Sequence, residues 1–402
     1  MNVAVIGGGA AGFFSAIAVK ENYPNANVTI YEKTKYLLSK VKISGGGRCN
    51  FTNRCTSIPE LCKAYPRGGK ELKKLFHIFN TTHTMEWFKS RGVEYVIQED
   101  NCVFPVSQDA QTIIDCFLRE SHRLKISIER GNGIVALKSN DDKWEVQFEN
   151  SEYRIFDKII VSTGGSPQMK GLDWLADLGH VINPPVPSLF SFKIPDNPVT
   201  KLMGVVVENI IVSFQGTKFK GEGPLLITHW GMSGPAILKL SSFGARWLKE
   251  NRYEGKIQVN WANNANNDIV LNDLIQIAEE NPKKLVTNNR PYDISSRLWL
   301  FFLDKCEIPV TKNWADLTKK NMNRLMNILC NDEYTIRGRA AFKEEFVTCG
   351  GVSLQSINMV TLESKVCKNL YFAGEVLDID AITGGYNLQA AWTTGFIAGK
   401  LG

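Results

Sequence analysis

The chain has 402 residues, which leaves room for two or three domains and a sizeable core. With 44% hydrophobic and 22% charged residues it has the composition of an ordinary folded protein, and the lack of an 18-residue apolar run argues against a membrane-spanning helix. A net charge of +6 is mild for this length and argues against a dedicated nucleic-acid binder; KTKYLLSKVK (33–42) and KELKK (70–74) are its densest basic runs and read as solvated faces.

In chain order, NVAVI (2–6) reads as a short β-strand, followed by glycines at 7 to 12 and a helical pattern from about Ala11 to Glu21. NVTIYE (27–32) is a second strand, so the order is strand, glycine turn, helix, strand: a Rossmann unit. The first 19 residues resemble a signal peptide but lack a basic start, and Gly7–Gly9 interrupt the apolar part. They are expected to be mature structure in a cytoplasmic protein. Residues 126–150 read as three strands, the later two joined by a turn at Asn140-Asp141-Asp142. KIIVSTGG (158–165) is a buried strand ending in glycines, and INPPVPSLFSF (182–192), with three prolines, marks a crossing between domains. Strand patterns then run to KIQVNWA (256–262). NNANND (263–268) reads as a hinge, and 268 to about 330 as helices whose Trp and Met residues belong to a core. KNLYFAGE (368–375) returns to a strand and GGYNLQAAWTTGFIAGK (384–400) to a last helix.

Gly7-x-Gly9-x-x-Gly12 carries a dinucleotide fingerprint. Gly7 permits the turn, Gly9 lets backbone approach a pyrophosphate, and Gly12 lets helix and strand pack closely. Glu32, twenty residues after Gly12, ends the second strand, where it can accept both ribose hydroxyls and repel a 2′-phosphate. A second glycine turn follows Gly374 and Glu375 and opens the last helix. A chain that begins and ends with pieces of one nucleotide site fits FAD rather than NAD. Asp378 and Asp380 either bind ribityl hydroxyls or cap their loop. There is no second full fingerprint, so NAD(P)H is expected to dock transiently, or another donor to serve. Nine cysteines without a CxxC, an odd number, argue against zinc or a disulfide framework, and five histidines show no metal spacing; no metal is expected.

VIGGGAAG (5–12), ISGGGRCNFTN (43–53), STGG (162–165), LITHWGMSGPAIL (226–238), GRAAFKEEFVTCGGVSL (338–354) and the segment 364–399 together resemble a family of bacterial flavoproteins described as YhiN-type or HI0933-like proteins, which includes aminoacetone oxidase-like enzymes and a bile-acid dehydro-intermediate reductase. The resemblance implies an α/β fold: a Rossmann-type FAD-binding domain built from both chain ends (1–190 and 337–402), with a β-barrel-like insert (191–262) and a helical insert (263–336). It implies non-covalent FAD held by Ala11, Gly12, Glu32, Lys33, Lys40, Gly46, Arg48, Cys49 and Asn53. Val135 would hold the adenine by its backbone, and Thr163, Gly164, Gly374, Glu375 and Asn387, Leu388 and Gln389 complete the set. Ala381 departs from the family pattern, which carries glycine there.

Candidates for chemistry are Cys49, which Arg48 and nearby amides would activate as a thiolate, His229 as a proton donor, with Ser233 and Pro235 opening the helix after it, and Tyr386 beside the flavin. The expected function is an FAD-dependent oxidoreductase that moves hydride through flavin N5 to or from a small organic substrate: an amine, a ketone or an enone. Flavin-dependent RNA modification and a non-catalytic flavin sensor are the alternatives. The sequence carries no RNA-binding signature and no mark of oligomeric state.

Overall fold

The computed structural model describes residues 1–140, 142–264, 266–340 and 347–402. The turn at Asp141, the hinge at Ala265 and the stretch 341–346 of the GRAAFKEEFVTCGGVSL motif lie outside the described residues. The chain divides into two compact units, Met1–Pro187 with Glu345–Gly402, and Ser188–Glu344.

The first unit is built on a five-stranded parallel sheet. Its strands are β1 (Asn2–Ile6), β2 (Asn27–Glu32), β3 (Ser127–Arg130), β4 (Lys158–Val161) and β5 (Leu370–Phe372), in the spatial order β5-β4-β1-β2-β3. β1 is central and its Val3–Ile6 are buried, the continuous apolar run that a strand covered on both faces needs. Helix α1 (Ala10–Asn22) is buried from Ala11 to Val19, so it too is covered all round.

The cover on its outer side is the last helix, α2 (Tyr386–Ala398). A Cβ on Gly395 would stand 2.9 Å from the Ala11 carbonyl oxygen, and one on Gly399, just past the helix end, 2.5 Å from Ala18 Cβ. Both contacts advance along the two helices in the same direction, so α1 and α2 run parallel. α2 starts earlier by about six residues relative to this contact, an offset of roughly 9 Å at 1.5 Å per residue. Phe14 anchors the pair: its ring lies 4.6 Å from Trp87, 5.3 Å from Phe79 and 5.7 Å from Trp392.

Two small antiparallel sheets flank this frame. One holds Ile134–Asn140, Lys143–Phe148 and Tyr153–Phe156, the last of which the sequence pattern did not suggest. The other pairs Thr52–Asn53, at the end of the glycine-rich loop, with Cys102–Pro105 and Tyr95–Ile97. The three-proline segment forms strand Ile182–Ser188, paired with Val347–Val352, and the boundary between units falls at its end.

In the second unit a six-stranded antiparallel sheet runs from Phe192–Lys193 through Gly231–Ser233, Lys220–Thr228, Val206–Phe214 and Glu254–Asn260 to Asp332–Arg337. A bridge from Phe192 to Arg339 brings the last strand back to the first, which closes the sheet in barrel fashion. Helices Asn267–Glu280, Ser296–Lys305 and Lys319–Asn331 share one apolar core with it, including Val259, Trp261, Leu274, Trp299, Phe302, Leu325 and Tyr334. Stretches 191–262 and 263–336, expected as separate inserts, thus interlock: the strand Asp332–Arg337, which follows the helices, completes the sheet. Asp332 is buried and ties the two parts, accepting from Trp261 Nε1 at 3.0 Å and bonding Lys305 and Tyr334. The helix Pro235–Phe243 is capped by Gly234, and the Ser233 hydroxyl instead bonds Ser191 at 2.6 Å.

Gly12→Ala places a methyl 1.9 Å from the Gly7 carbonyl oxygen, a backbone atom that cannot step aside. The expected cost is about 3 kcal/mol, a fall in the melting temperature of the first unit of roughly 6–12 °C. Differential scanning calorimetry against Gly9→Ala, where a Cβ meets nothing within 4 Å, checks this.

Candidate cofactor site

The fingerprint glycines serve three different needs. Gly7 has φ +111°, and a Cβ there would stand 2.4 Å from the Ser162 carbonyl oxygen; its N–H donates to Tyr31 O at 2.8 Å. Gly12 closes α1 onto that turn. Gly9 is the N-cap of α1, has no side-chain capping bond and borders open space. The first bond within the helix runs from the Phe13 N–H to Gly9 O, so the N–H groups of Ala10, Ala11 and Gly12 have no partner in the helix ladder. Glu32 stands beside them: Oε2 accepts the Gly8 N–H at 2.9 Å and Oε1 the Thr34 N–H at 2.9 Å. Each oxygen keeps a further acceptor direction. Lys33 is exposed. Val135 is exposed and sits at a break in the strand register between Ile134 and Ala136, where the ladder skips its backbone.

The loop 42–53 is a tight coil. Gly45, Gly46 and Gly47 have φ of +57°, +70° and +86°, and a Cβ on Gly46 or Gly47 would meet nothing. Arg48 lies 4.3 Å over the Phe104 ring and donates to Gly45 O and to Gln108, both at 3.3 Å. The surroundings of Cys49 do not favour a thiolate, one of the candidate roles weighed for it. It is fully buried, its N–H donates to Ser44 O at 2.9 Å, and burial pushes its pKa up to about 12. Burial outweighs any help from Arg48, and the group is a thiol at neutral pH. Asn50 accepts the Val103 N–H at 3.2 Å.

The C-terminal pieces arrive on the same unit. Lys40 pairs with Glu375 at 2.6 Å, and Glu375 also accepts the Thr348 N–H at 2.8 Å. Gly374 has φ +78°, and its N–H is held by Thr394 Oγ1 at 2.8 Å. Thr163 and Gly164, the latter at φ +76°, follow β4. Asn53 donates to Gly384 O at 3.1 Å, and Thr52 bonds Gln389 at 2.5 Å. Gly385 caps α2 at φ +84° with no side-chain capping bond, and a Cβ there would stand 2.4 Å from Thr52 O. Leu388 is half-buried. Asn387 clamps the preceding loop, accepting from Ala381 N and donating to Ala381 O, both at 2.9 Å. Asp378 accepts from Asn183 at 2.6 Å, and the fully buried Asp380 pairs with Arg67 in a two-pronged bridge. Ala381 is buried and is not among the left-handed residues, so its methyl group costs the loop nothing in backbone strain.

Tyr386 is the first residue of α2. It is half-buried, its carbonyl accepts from Tyr65 OH at 2.7 Å, and burial pushes its phenol up to about 12. His229 belongs to the second unit, where it is exposed with its ring 4.4 Å from Trp230. The sequence reading did not single out Arg67, Thr348 or Tyr65; Arg67 and Tyr65 lie in no motif, Thr348 lies in the 338–354 motif without having been marked, and only the fold brings the three to Asp380, Glu375 and Tyr386. Among the described residues no cluster of His, Cys, Asp and Glu could hold a metal, and no helix is long and apolar enough to cross a membrane.

These features fit FAD. Two uncapped helix N-termini in one unit point the same way with a stagger of roughly 9 Å, and each presents the positive end of a helix dipole. The glycine turn leaves room at Gly9 for a pyrophosphate, and Glu32 offers acceptors for ribose.

The chain is 27% identical to a 3-dehydro-bile acid delta(4,6)-reductase of Clostridium scindens, over 99% of this chain and 98% of that protein. It is equally 27% identical to a ribosomal RNA dihydrouridine synthase of Haemophilus influenzae, over 98% and 96%. Among solved structures, the 3-ketosteroid delta1-dehydrogenase of Sterolibacterium denitrificans superposes with a TM-score of 0.51 at 11% identity, over 99% of this chain and 98% of that one. The likeness in structure is one of fold: a Rossmann-type FAD-binding domain with a second unit inserted. The model of the HI0933-like protein Rossmann domain matches residues 1–401, and the chain belongs to that family.

Proposed function

We propose that this protein is an FAD-dependent oxidoreductase that transfers hydride at a carbon–carbon double bond conjugated to a carbonyl. The observation that carries the cofactor is the pair of parallel, uncapped helix N-termini flanked by Glu32 and the open glycine turn. The relatives' names support the reaction class. A 3-dehydro steroid with 4,6 unsaturation and the uracil ring of RNA share one reactive group, a C=C bond polarised by a neighbouring carbonyl. An enone fits that class; amines and simple ketones have no such support. Uridine in RNA is the second reading, favoured by the names of two relatives and by the charge of the second unit.

When bound, FAD supplies an N5 that takes or gives hydride. The N–H groups of Ala10 to Gly12 would hold its pyrophosphate and Glu32 its ribose. The α2 N-terminus would favour the negative charge of reduced flavin. Tyr386, protonated up to about pH 12 by its burial, can give a proton to the carbon beside the carbonyl. NAD(P)H would dock transiently, since the chain has one nucleotide fingerprint. Nine free cysteines suit the reducing cytoplasm.

Anaerobic mixing of FAD-loaded protein with NADH or NADPH should bleach the flavin absorbance. An α,β-unsaturated ketone should restore it, and a saturated ketone or an amine should not. A protein that takes up no FAD defeats the reading, and restoration by RNA uridine alone selects the second substrate.

Gly9→Ala should keep the melting temperature of the apo-protein within a few degrees while weakening FAD at least tenfold, because the new methyl enters the space kept for phosphate. Fluorescence titration with FAD measures this. In native protein at pH 8, iodoacetamide should label Cys55 and Cys367 well before Cys49, whose thiol is both buried and held neutral. Peptide mass spectrometry reads the order; early loss of Cys49 would restore it as a reactive residue.

A further inference from the structure

We infer that the barrel of the second unit carries a docking surface for single-stranded RNA, at a cavity of about 390 Å³ lined by Lys218, Phe219, Lys220, Glu222, Lys239 and Phe243. The inference rests on the RNA reading of the substrate.

Gly221 builds the site. A Cβ there would stand 2.1 Å from the Ala236 carbonyl oxygen, so only glycine lets the strand Lys220–Thr228 sit directly on the helix Pro235–Phe243. That contact sets Lys239 and Phe243, four residues apart on one helix face, beside the Lys218-Phe219-Lys220 run of the hairpin. Lys220 pairs with Glu222 at 2.8 Å and Lys239 donates to the Glu222 carbonyl oxygen at 2.9 Å, while Lys218 makes no ion pair among the described residues. Three lysines and one glutamate therefore line the same cavity, and only Lys220 is paired with the carboxylate. The unit as a whole is basic: residues 188–344 hold 21 Lys and Arg against 16 Asp and Glu, leaving the first unit with 26 against 25.

The chemistry selects the occupant. An enclosed site for a small anion would bury its donors, but Lys218 and Lys220 face solvent. A lipid surface would need protruding apolar side chains among the lysines, and none of the exposed large hydrophobic residues lies in this cavity. Two half-buried phenyl rings interleaved with lysines suit a flexible chain that offers base faces and phosphates in alternation.

The test is fluorescence anisotropy with FAD-loaded protein and a fluorescein-labelled, uridine-rich single-stranded RNA across a range of salt. Lys218→Glu with Lys239→Glu should weaken binding at least tenfold and flatten the salt slope by about 1.4, two phosphate contacts at about 0.7 each. Phe219→Leu should weaken it about fivefold or more with the slope unchanged, the loss of one stacked base. Flavin absorbance and melting temperature serve as folding controls. In turnover with the same RNA, the double variant should raise KM and leave kcat alone. Wild-type affinity in the folded double variant overturns the surface. If the double variant reduces uridine with an unchanged KM, the RNA reading stands and the surface falls. If the wild type neither binds RNA nor reduces uridine, both fall.

Discussion

The structure of the first unit depends on the close, parallel contact between its first and last helices. Gly395 and Gly399 leave no side chain between them, so α2 rests on the backbone and small residues of α1 at Ala11, Ser15 and Ala18. A helix pair this close fixes three things at once. It closes the chain ends into one domain, it buries α1 on both faces, and it sets how far the N-terminus of α2 projects beyond that of α1. The projection is what lets one rigid frame address two separated parts of a long cofactor. A larger residue at either glycine would push the helices apart, and both N-termini would lose their common reference.

The polar groups around this contact are spent mostly on holding the frame. Thr52 and Gln389, Asn53 and Gly384, Trp392 and Phe51, and Arg67 and Asp380 are bonds between residues more than 300 positions apart. They tie the glycine-rich loop 42–53 and its flanks to the start of α2. Buried side chains of this kind are costly to leave unpaired, so the loop and the helix start act as one unit, and neither keeps its shape without the other. Gly46 and Gly47 have left-handed backbone and open surroundings, whereas Cys49, also left-handed, turns inward and is sealed.

Much of this was readable in the sequence because it rests on local signals. The parallel strands announce themselves as short apolar runs, the fingerprint by glycine spacing, and the last helix by its glycine start. Glu32 was placed by counting from Gly12. What escaped the sequence is what depends on long-range packing. Asp380 was open to two readings, a ligand for ribityl hydroxyls or a cap for its loop, because its partner Arg67 stands 313 residues away. Cys49 stayed a candidate nucleophile because Arg48 is its neighbour in sequence, whereas its depth is set by long-range packing. The strand Asp332–Arg337 was hidden behind three helices, so the sheet and helical stretches of the second unit read as two bodies although they share one core.

The distribution of charge differs between the two units. The first unit is nearly neutral even though a pyrophosphate would bind there, and three of its cations are engaged: Lys40 with Glu375, Arg67 with Asp380, Arg48 over Phe104. At the glycine turn, backbone N–H groups and aligned peptide dipoles add positive potential that is fixed by the fold and needs no mobile side chain. The second unit holds the excess of lysine and arginine on side chains that solvent can reach. Backbone charge suits one ligand of fixed shape, because it cannot adjust. Side-chain charge suits a partner that varies along its length, because each lysine can follow the nearest phosphate.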